Sequence, residues 1–313
     1  MIKDLAKNIS SLGAKIFSQN LLIGLTGKKI ILPFYHAVSD NVPFHLKHLY
    51  QPRSSQLFKA DLAYFLKYFE PIELKELIRL VKEDKPLKKN YFHLTFDDGL
   101  RDFYDVAAPI LKEQGIPATI FLNSDFIDNK AIFYRFKASI LAEKLVAKGL
   151  LDISYSEKEI LDELAKENNI DFEEYLKNEK PYLTSPQIEQ LIQQGFTVGA
   201  HSKNHPLYNQ IKLEEQITQT KESIKAVITP YNLEYNVFSF PFTDFGVSHQ
   251  FFAAIKNEVD LTFGCAGLKD DTIKNHLQRI PMELQQGGKE IIKTEYFYYL
   301  LKKIVGKNKI IRP

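Results

Sequence analysis

YFHLTFDDGLRDFYDVAAPILKEQGIPATIFL, residues 91–122, reads as strand, helix, strand. Phe92, Leu94 and Phe96 alternate along Tyr91–Phe96, which predicts an extended segment with one apolar face. Gly99 permits a tight turn, and a helix over Gly99–Gln114 can end at Gly115. Ala118–Leu122 is then a short apolar run of strand length. Strand, helix and strand within about 30 residues make the unit from which parallel sheets are built.

The same rhythm extends outward. Upstream, Lys28–Val38 (KKIILPFYHAV) reads as a buried strand, and Leu57–Phe69 as a helix with Phe58, Leu62, Phe65, Leu66 and Phe69 on one face. Downstream, a helix around Pro186–Gln194, begun by Thr184 or Ser185 and stopped by Gly195, leads into a strand at Phe196–Ala200. A helix with Leu213, Ile217, Ile224 and Ile228 on one side follows. Strands near Val237–Phe240, Val259–Phe263 and Leu277–Met282 come next, with a helix at Val247–Lys256 and a last one over about Glu290–Val305. About seven strands, most of them separated by helices, predict a parallel α/β barrel with its chemistry where strands end and loops begin. Asp125–Pro181 breaks the rhythm. It is helical and charged, and reads as an insertion at about 125–181 over one face of a barrel that spans 28–313.

With 313 residues, 44% of them hydrophobic, the chain can bury a sizeable core. The net charge is +2, and no dense Lys/Arg block precedes the tail Lys302–Lys309, so no nucleic acid partner is expected. One cysteine, Cys265, excludes an internal disulfide and a cysteine-built zinc site. Residues 1–27 are expected to begin with an amphipathic helix, since Ile2, Leu5, Ile9, Leu12, Ile16 and Phe17 recur at spacings of three and four among lysines. No unbroken apolar stretch fits a signal peptide or a membrane span, which leaves a cytoplasmic location or a peripheral one at the cytoplasmic membrane face. Two readings of residues 1–19 stand: packing against the domain, or contact with an anionic membrane surface.

Two segments carry chemistry. His93-Leu94-Thr95-Phe96-Asp97-Asp98-Gly99 runs a strand into adjacent carboxylates, which repel unless a cation or proton neutralises one. The plain alternative is a helix N-cap followed by a first-turn acid. Gly199-Ala200-His201-Ser202-Lys203-Asn204-His205-Pro206 also ends a strand, and a helical turn there would bring His201 and His205 onto one ion. Taken singly, such histidines are more often surface residues. One carboxylate and two imidazoles leave positions for water, as an open catalytic metal site requires, and the second carboxylate can serve as base.

TFDDG followed by HSxxH resembles the polysaccharide deacetylase family (carbohydrate esterase family 4, NodB-like), from about Ile30 to Met282 with the insertion between. The resemblance implies a distorted (β/α)7-type barrel that removes N-acetyl groups from an amino sugar. Its partner would be an N-acetylated glycan or a lipid-linked sugar. Asp97 would be the general base, and Asp98, His201 and His205 would hold one divalent metal ion, usually zinc. Alternatives are removal of another acyl group from a small substrate, or a catalytically silent carbohydrate-binding or scaffolding protein.

The chain departs from the pattern in three places. The family's third motif brings an arginine to steady the base, whereas Phe238-Ser239-Phe240-Pro241-Phe242-Thr243-Asp244 has none. Arg279 either reaches the site instead or makes a surface salt bridge. There is no tryptophan for the fourth motif and no good Leu-x-His for the fifth, which supplies the general acid. Tyr35-His36-Ala37-Val38 resembles the Tyr-His-x-Val segment of the branch acting on exported poly-N-acetylglucosamine, and this makes His36 the expected acid. His276, which precedes a strand, is expected at the wrong end of the barrel. Tyr35, Pro241, Phe242, Asp244 and Arg279 complete the expected site as substrate-binding residues.

Overall fold

The structure is a computed structural model that describes Ser10 and residues 13–313. Most of the helix expected over Met1–Gln19 therefore lies outside the described residues. At its described end the Phe17 ring meets Phe297, with centroids 5.5 Å apart. A helix then begins at α1 (Gln19–Thr26), where the Ser18 hydroxyl caps Leu21 N at 3.2 Å.

Six parallel strands follow one another around the barrel: β1 (Pro33–Tyr35), β2 (Leu94–Phe96), β3 (Ala118–Leu122), β4 (Thr197–Ala200), β5 (Val237–Ser239) and β6 (Leu261–Gly264). The ladder continues from β6 into β7 (His276–Gln278), while β8 (Ile280–Pro281) pairs with β1. Only Arg279 separates β7 from β8. One segment thus bonds both edges of the sheet, with Arg279 N donating to Gly264 O at 3.2 Å and Ile280 N to Leu32 O at 2.9 Å. Closure removes the exposed edges that an open parallel sheet would leave. This is the expected (β/α)7-type architecture.

The crossovers are α2 (Ser55–Tyr68) and α3 (Leu74–Glu83) between β1 and β2, and α4 (Ala108–Glu113) between β2 and β3. After β3 come α5 (Tyr134–Lys144), α6 (Glu159–Glu167), α7 (Phe172–Glu179) and α8 (Ser185–Gln193). Then α9 (Leu213–Ile228) precedes β5, α10 (His249–Ile255) precedes β6, and α11 (Gly288–Ile304) follows β8. The sequence reading did not separate out α3, although Leu74, Leu77 and Ile78 bury one of its faces. The predicted strand Lys28–Val38 is split. Ile30–Ile31 pairs with Tyr91–Phe92 below the barrel, and β1 takes over above Leu32. The helix expected over Gly99–Gln114 opens instead as a π-helical turn at Phe103–Ala107. Pro109 has no N–H to donate back along the helix, so the ladder widens there.

Side chains on a strand alternate between its faces, and this sorts the barrel. Thr95 and Asp97 meet Arg279 inside. Phe92 and Phe96 point outward, against Phe65 at 5.6 Å and Phe103 at 4.7 Å. Residues 125–181 carry α5, α6 and α7, which bury Phe133, Phe136, Leu141, Leu161 and Tyr182 in an apolar cluster of their own. Ala37 and Leu46, from the chain after β1, join that cluster, so the insertion and the β1 loop form one wall. Among the described residues no helix is long and apolar enough to cross a membrane.

Candidate active site

Asp97 follows β2 and receives both arms of a guanidinium. Arg279 Nη1 donates to Oδ1 and Nη2 to Oδ2, each at 2.7 Å. The arginine is itself fixed by Thr95 Oγ1 at 2.9 Å, Ser239 Oγ at 2.7 Å and Gly264 O at 3.1 Å. Burial raises the carboxyl pKa, but Arg279 and the nearby imidazoles outweigh it and hold Asp97 below the ordinary carboxylate range. Arg279, 1% exposed, reaches the site rather than making a surface salt bridge, and its burial closes it to the substrate contact expected of it from sequence. It braces Asp97 from inside the closing strand, in place of the arginine missing from residues 238–244.

Asp98 takes a left-handed backbone, φ 69°, which turns its carboxylate away from that of Asp97. Its Oδ1 lies 3.1 Å from His205 Nε2 and 3.5 Å from His201 Nε2, yet forms no hydrogen bond although it is buried. Ligands about 2.1 Å from a tetrahedral ion stand about 3.4 Å apart, so these spacings fit a shared cation. His201 Nδ1 donates to Ser239 O at 2.8 Å, which leaves Nε2 with its lone pair free. Burial pushes the His201 pKa down to about 4, and the ring is neutral as a ligand must be. His205 converges without the helical turn expected from its spacing. Ser202 and His205 both have positive φ, and Ser202 Oγ accepts from His205 N at 3.0 Å. Asn123, after β3, donates to His201 O and pins the same loop. Asp98, His201 and His205 could hold a metal ion.

His36 lies one residue past β1, on the inward side with Phe34, whose ring underlies Arg279 at 4.4 Å. Its Nδ1 donates to Glu283 Oε2 at 2.5 Å, while Glu283 Oε1 accepts from the backbone N of His36 and of Ala37, both at 2.8 Å. Burial favours the neutral ring, but Glu283, with Asp98 and Asp97 behind it, pushes the His36 pKa up to about 10. Glu283 was missed from sequence. Its only signal is its place four residues after Arg279, so that one short segment supplies a cation to Asp97 and an anion to His36.

Other expected residues lie elsewhere. Tyr35 is no substrate contact: it points outward, fully buried between Phe58 and Phe96, with its hydroxyl on Asp61 Oδ2 at 3.0 Å. Asp244 is likewise closed to substrate. Its carboxylate is enclosed by Arg312, Gln278 Nε2 at 2.9 Å and His276 Nε2 at 3.0 Å. His276 is on the outer face of β7, against Phe252 at 5.0 Å, so it is excluded by face rather than by end. Pro241 is buried. Phe242 remains available, 42% exposed with its ring edge-on to His205 at 4.5 Å. On its other flank His205 meets Phe133 of the insertion at 4.4 Å.

The family model for polysaccharide deacetylases matches residues 84–257, more than half of the chain and the segment holding the Asp pair and both histidines. The chain belongs to the polysaccharide deacetylase family. Among solved structures, this family member resembles the Streptococcus pyogenes deacetylase PplD, determined with acetate, at a TM-score of 0.58 and 20% identity over 85% of this chain and 98% of that one. The de-N-acetylase of Aggregatibacter actinomycetemcomitans gives 0.60 and 15% over 85% and 99%. At these identities the likeness establishes the fold. The Bacillus subtilis protein YxkH is 20% identical over 173 residues, 55% of this deacetylase-family chain and 44% of YxkH, so the match spans less than half of that relative.

Proposed function

We propose that the chain is a metal-dependent N-deacetylase acting on an amino sugar within a polysaccharide or a lipid-linked glycan. The observation that carries this is the buried, unbonded Asp98 Oδ1 facing two imidazole nitrogens beside an arginine-braced Asp97. A divalent ion held by Asp98, His201 and His205, with zinc the first choice for an oxygen and two nitrogens, would supply Lewis-acid polarisation of the acetyl carbonyl and of water. Asp97, kept ionised by Arg279, takes the proton of the attacking water. His36, kept protonated by Glu283, gives a proton to the departing amine, which is a poor leaving group without it. The acid then comes from the N-terminal side, as in the branch with a Tyr-His-x-Val segment, and Phe242 offers an apolar face to the sugar.

Metal content and acetate release from N-acetylglucosamine oligomers test this reading. Release should need added metal and stop with chelator. His36→Ala should keep the metal and slow turnover at least about 100-fold, while His276→Ala should change it little. A metal-loaded protein that binds the oligomers without releasing acetate would leave the carbohydrate-binding alternative.

Membrane contact rests on a different observation. Ile16, Leu21 and Leu25 are exposed, and Lys303 Nζ on Thr26 O brings exposed Ile304 and Val305 beside them. Co-sedimentation with anionic vesicles that is lost in Leu21→Ser/Leu25→Ser would support it, and equal pelleting of both proteins would remove it.

A further inference from the structure

Glu283 stands at the head of an exposed loop, Glu283–Gly287, that leads from β8 to α11. Nothing apolar packs that loop down, for Leu284, Gln285, Gln286 and Gly287 all face solvent. Its backbone is held instead by a buried ion pair on the far side of β1. Arg53 grips Asp61 with Nε at 2.8 Å and Nη2 at 2.7 Å, and its Nη1 donates to Leu284 O and to Gln286 O, both at 2.8 Å. Asp61 also accepts from Gly288 N at 2.8 Å, where the loop becomes α11. Arg53 and Asp61 are 2% and 1% exposed. A buried ion pair is a poor source of stability compared with apolar packing, and here, apart from the Tyr35 hydroxyl on Asp61 Oδ2, its spare donor and acceptor sites go to one loop.

We propose that Arg53 and Asp61 are positioning residues that fix Glu283, and through it the orientation of His36. The proposal rests on His36 being the general acid. A proton donor must sit within hydrogen-bond reach of the departing nitrogen, and a misplacement of about 1 Å can cost about 100-fold in rate. His36 hangs on Glu283 by its ring, by its own backbone N–H and by that of Ala37, so any slack in residues 283–287 becomes slack in the imidazole. The ionisable groups facing His36 are Glu283, Asp98, Asp97 and, from the β1 loop, Tyr50, whose ring is 5.1 Å away. The clamp bonds the backbone that follows the first of these, at Leu284, Gln286 and Gly288.

The test compares Arg53→Lys, Glu283→Gln, His36→Ala and the Arg53→Lys/Glu283→Gln double variant as metal-loaded proteins. Lysine keeps the charge but cannot span Asp61 and two carbonyls at once. Arg53→Lys should keep its metal, hold KM within about twofold and lose about tenfold in kcat. The alkaline limb of its kcat profile, and the titration of the His36 ring followed by NMR, should move to lower pH. In the double variant Arg53→Lys should cost nothing beyond Glu283→Gln. A lower Tm with unchanged kcat and His36 titration would overturn the proposal, as would effects that multiply. Should Arg53→Lys not fold, Asp61→Asn asks the same question with the same outcomes. A fast His36→Ala overturns the acid assignment, whereas a slow His36→Ala beside a normal Arg53→Lys overturns only the clamp.

Discussion

Two clusters among the described residues bring three metal-ligand side chains within 4.8 Å: Asp98 with His201 and His205, and Asp244 with Asp271 and His276. Their chemical make-up is nearly the same, yet they differ in what occupies the middle. In the first, Asp98 Oδ1 has no hydrogen bond and the imidazole nitrogens facing it have no competing cation. In the second, Arg312 puts one nitrogen on both carboxylates, at 2.5 Å from Asp271, and donates to Asp244 O at 2.6 Å. A guanidinium already supplies the positive charge there. Position separates them too, since the first cluster lies in the barrel mouth and the second behind β7 under Phe252. Donor type and nearness alone do not tell the two clusters apart; only the first leaves a carboxylate oxygen without a partner.

The strongest way to break this comparison is to remove donors from each cluster. His201→Ala or His205→Ala should lose most of the bound metal and bring acetate release to background, while His276→Ala keeps one equivalent. Equal metal in all three by elemental analysis would erase the distinction. Next in size comes Asp97→Asn, which should retain the ion and lose about two to four orders of magnitude in turnover, the range of a general acid–base group. Loss of metal in that variant would make Asp97 a ligand rather than the base.

Both segments of the candidate metal site were legible because they are local. Asp97-Asp98 and His201…His205 each follow a strand with a clear apolar pattern, and parallel strands deliver their ends to one face. The side chains that orient the site's acids and His36 were harder to see, because those pairings join distant stretches. Arg279 lies 182 residues from Asp97, and Glu283 lies 247 from His36. Barrel closure brings them together, and closure depends on register rather than on residue type. Tyr35 shows the cost of one residue: motif likeness marked it as a substrate contact, yet the strand alternation that turns His36 inward turns Tyr35 into the core. Asp244 failed for another reason, since Arg312 arrives from the far end of the chain.

The smallest expected effect on activity, and the sharpest on the comparison, belongs to Arg312→Gln. Without the guanidinium, Asp244 and Asp271 face each other and His276 in a buried space, and uncompensated charge of that kind costs about 3–5 kcal/mol of stability. Turnover should fall only a few-fold, through loosening of the loop that sets Phe242 against His205, and the metal at Asp98 should stay. The stability gap should depend on pH. Burial raises the pKa of Asp244, but His276, Arg312 and Gln278 hold it far below the ordinary carboxylate range. A carboxylate depressed in the native state contributes stability above its unfolded pKa of about 4 and loses it as pH falls toward the native value. The Tm difference between wild type and variant should therefore be full at neutral pH and shrink below about pH 4. Excess zinc should then raise the Tm of the variant more than that of the wild type, because the vacated centre leaves two carboxylates and an imidazole to share an ion. A pH-independent gap with no added zinc response would mean that Arg312 is not what keeps the second cluster from being a metal site.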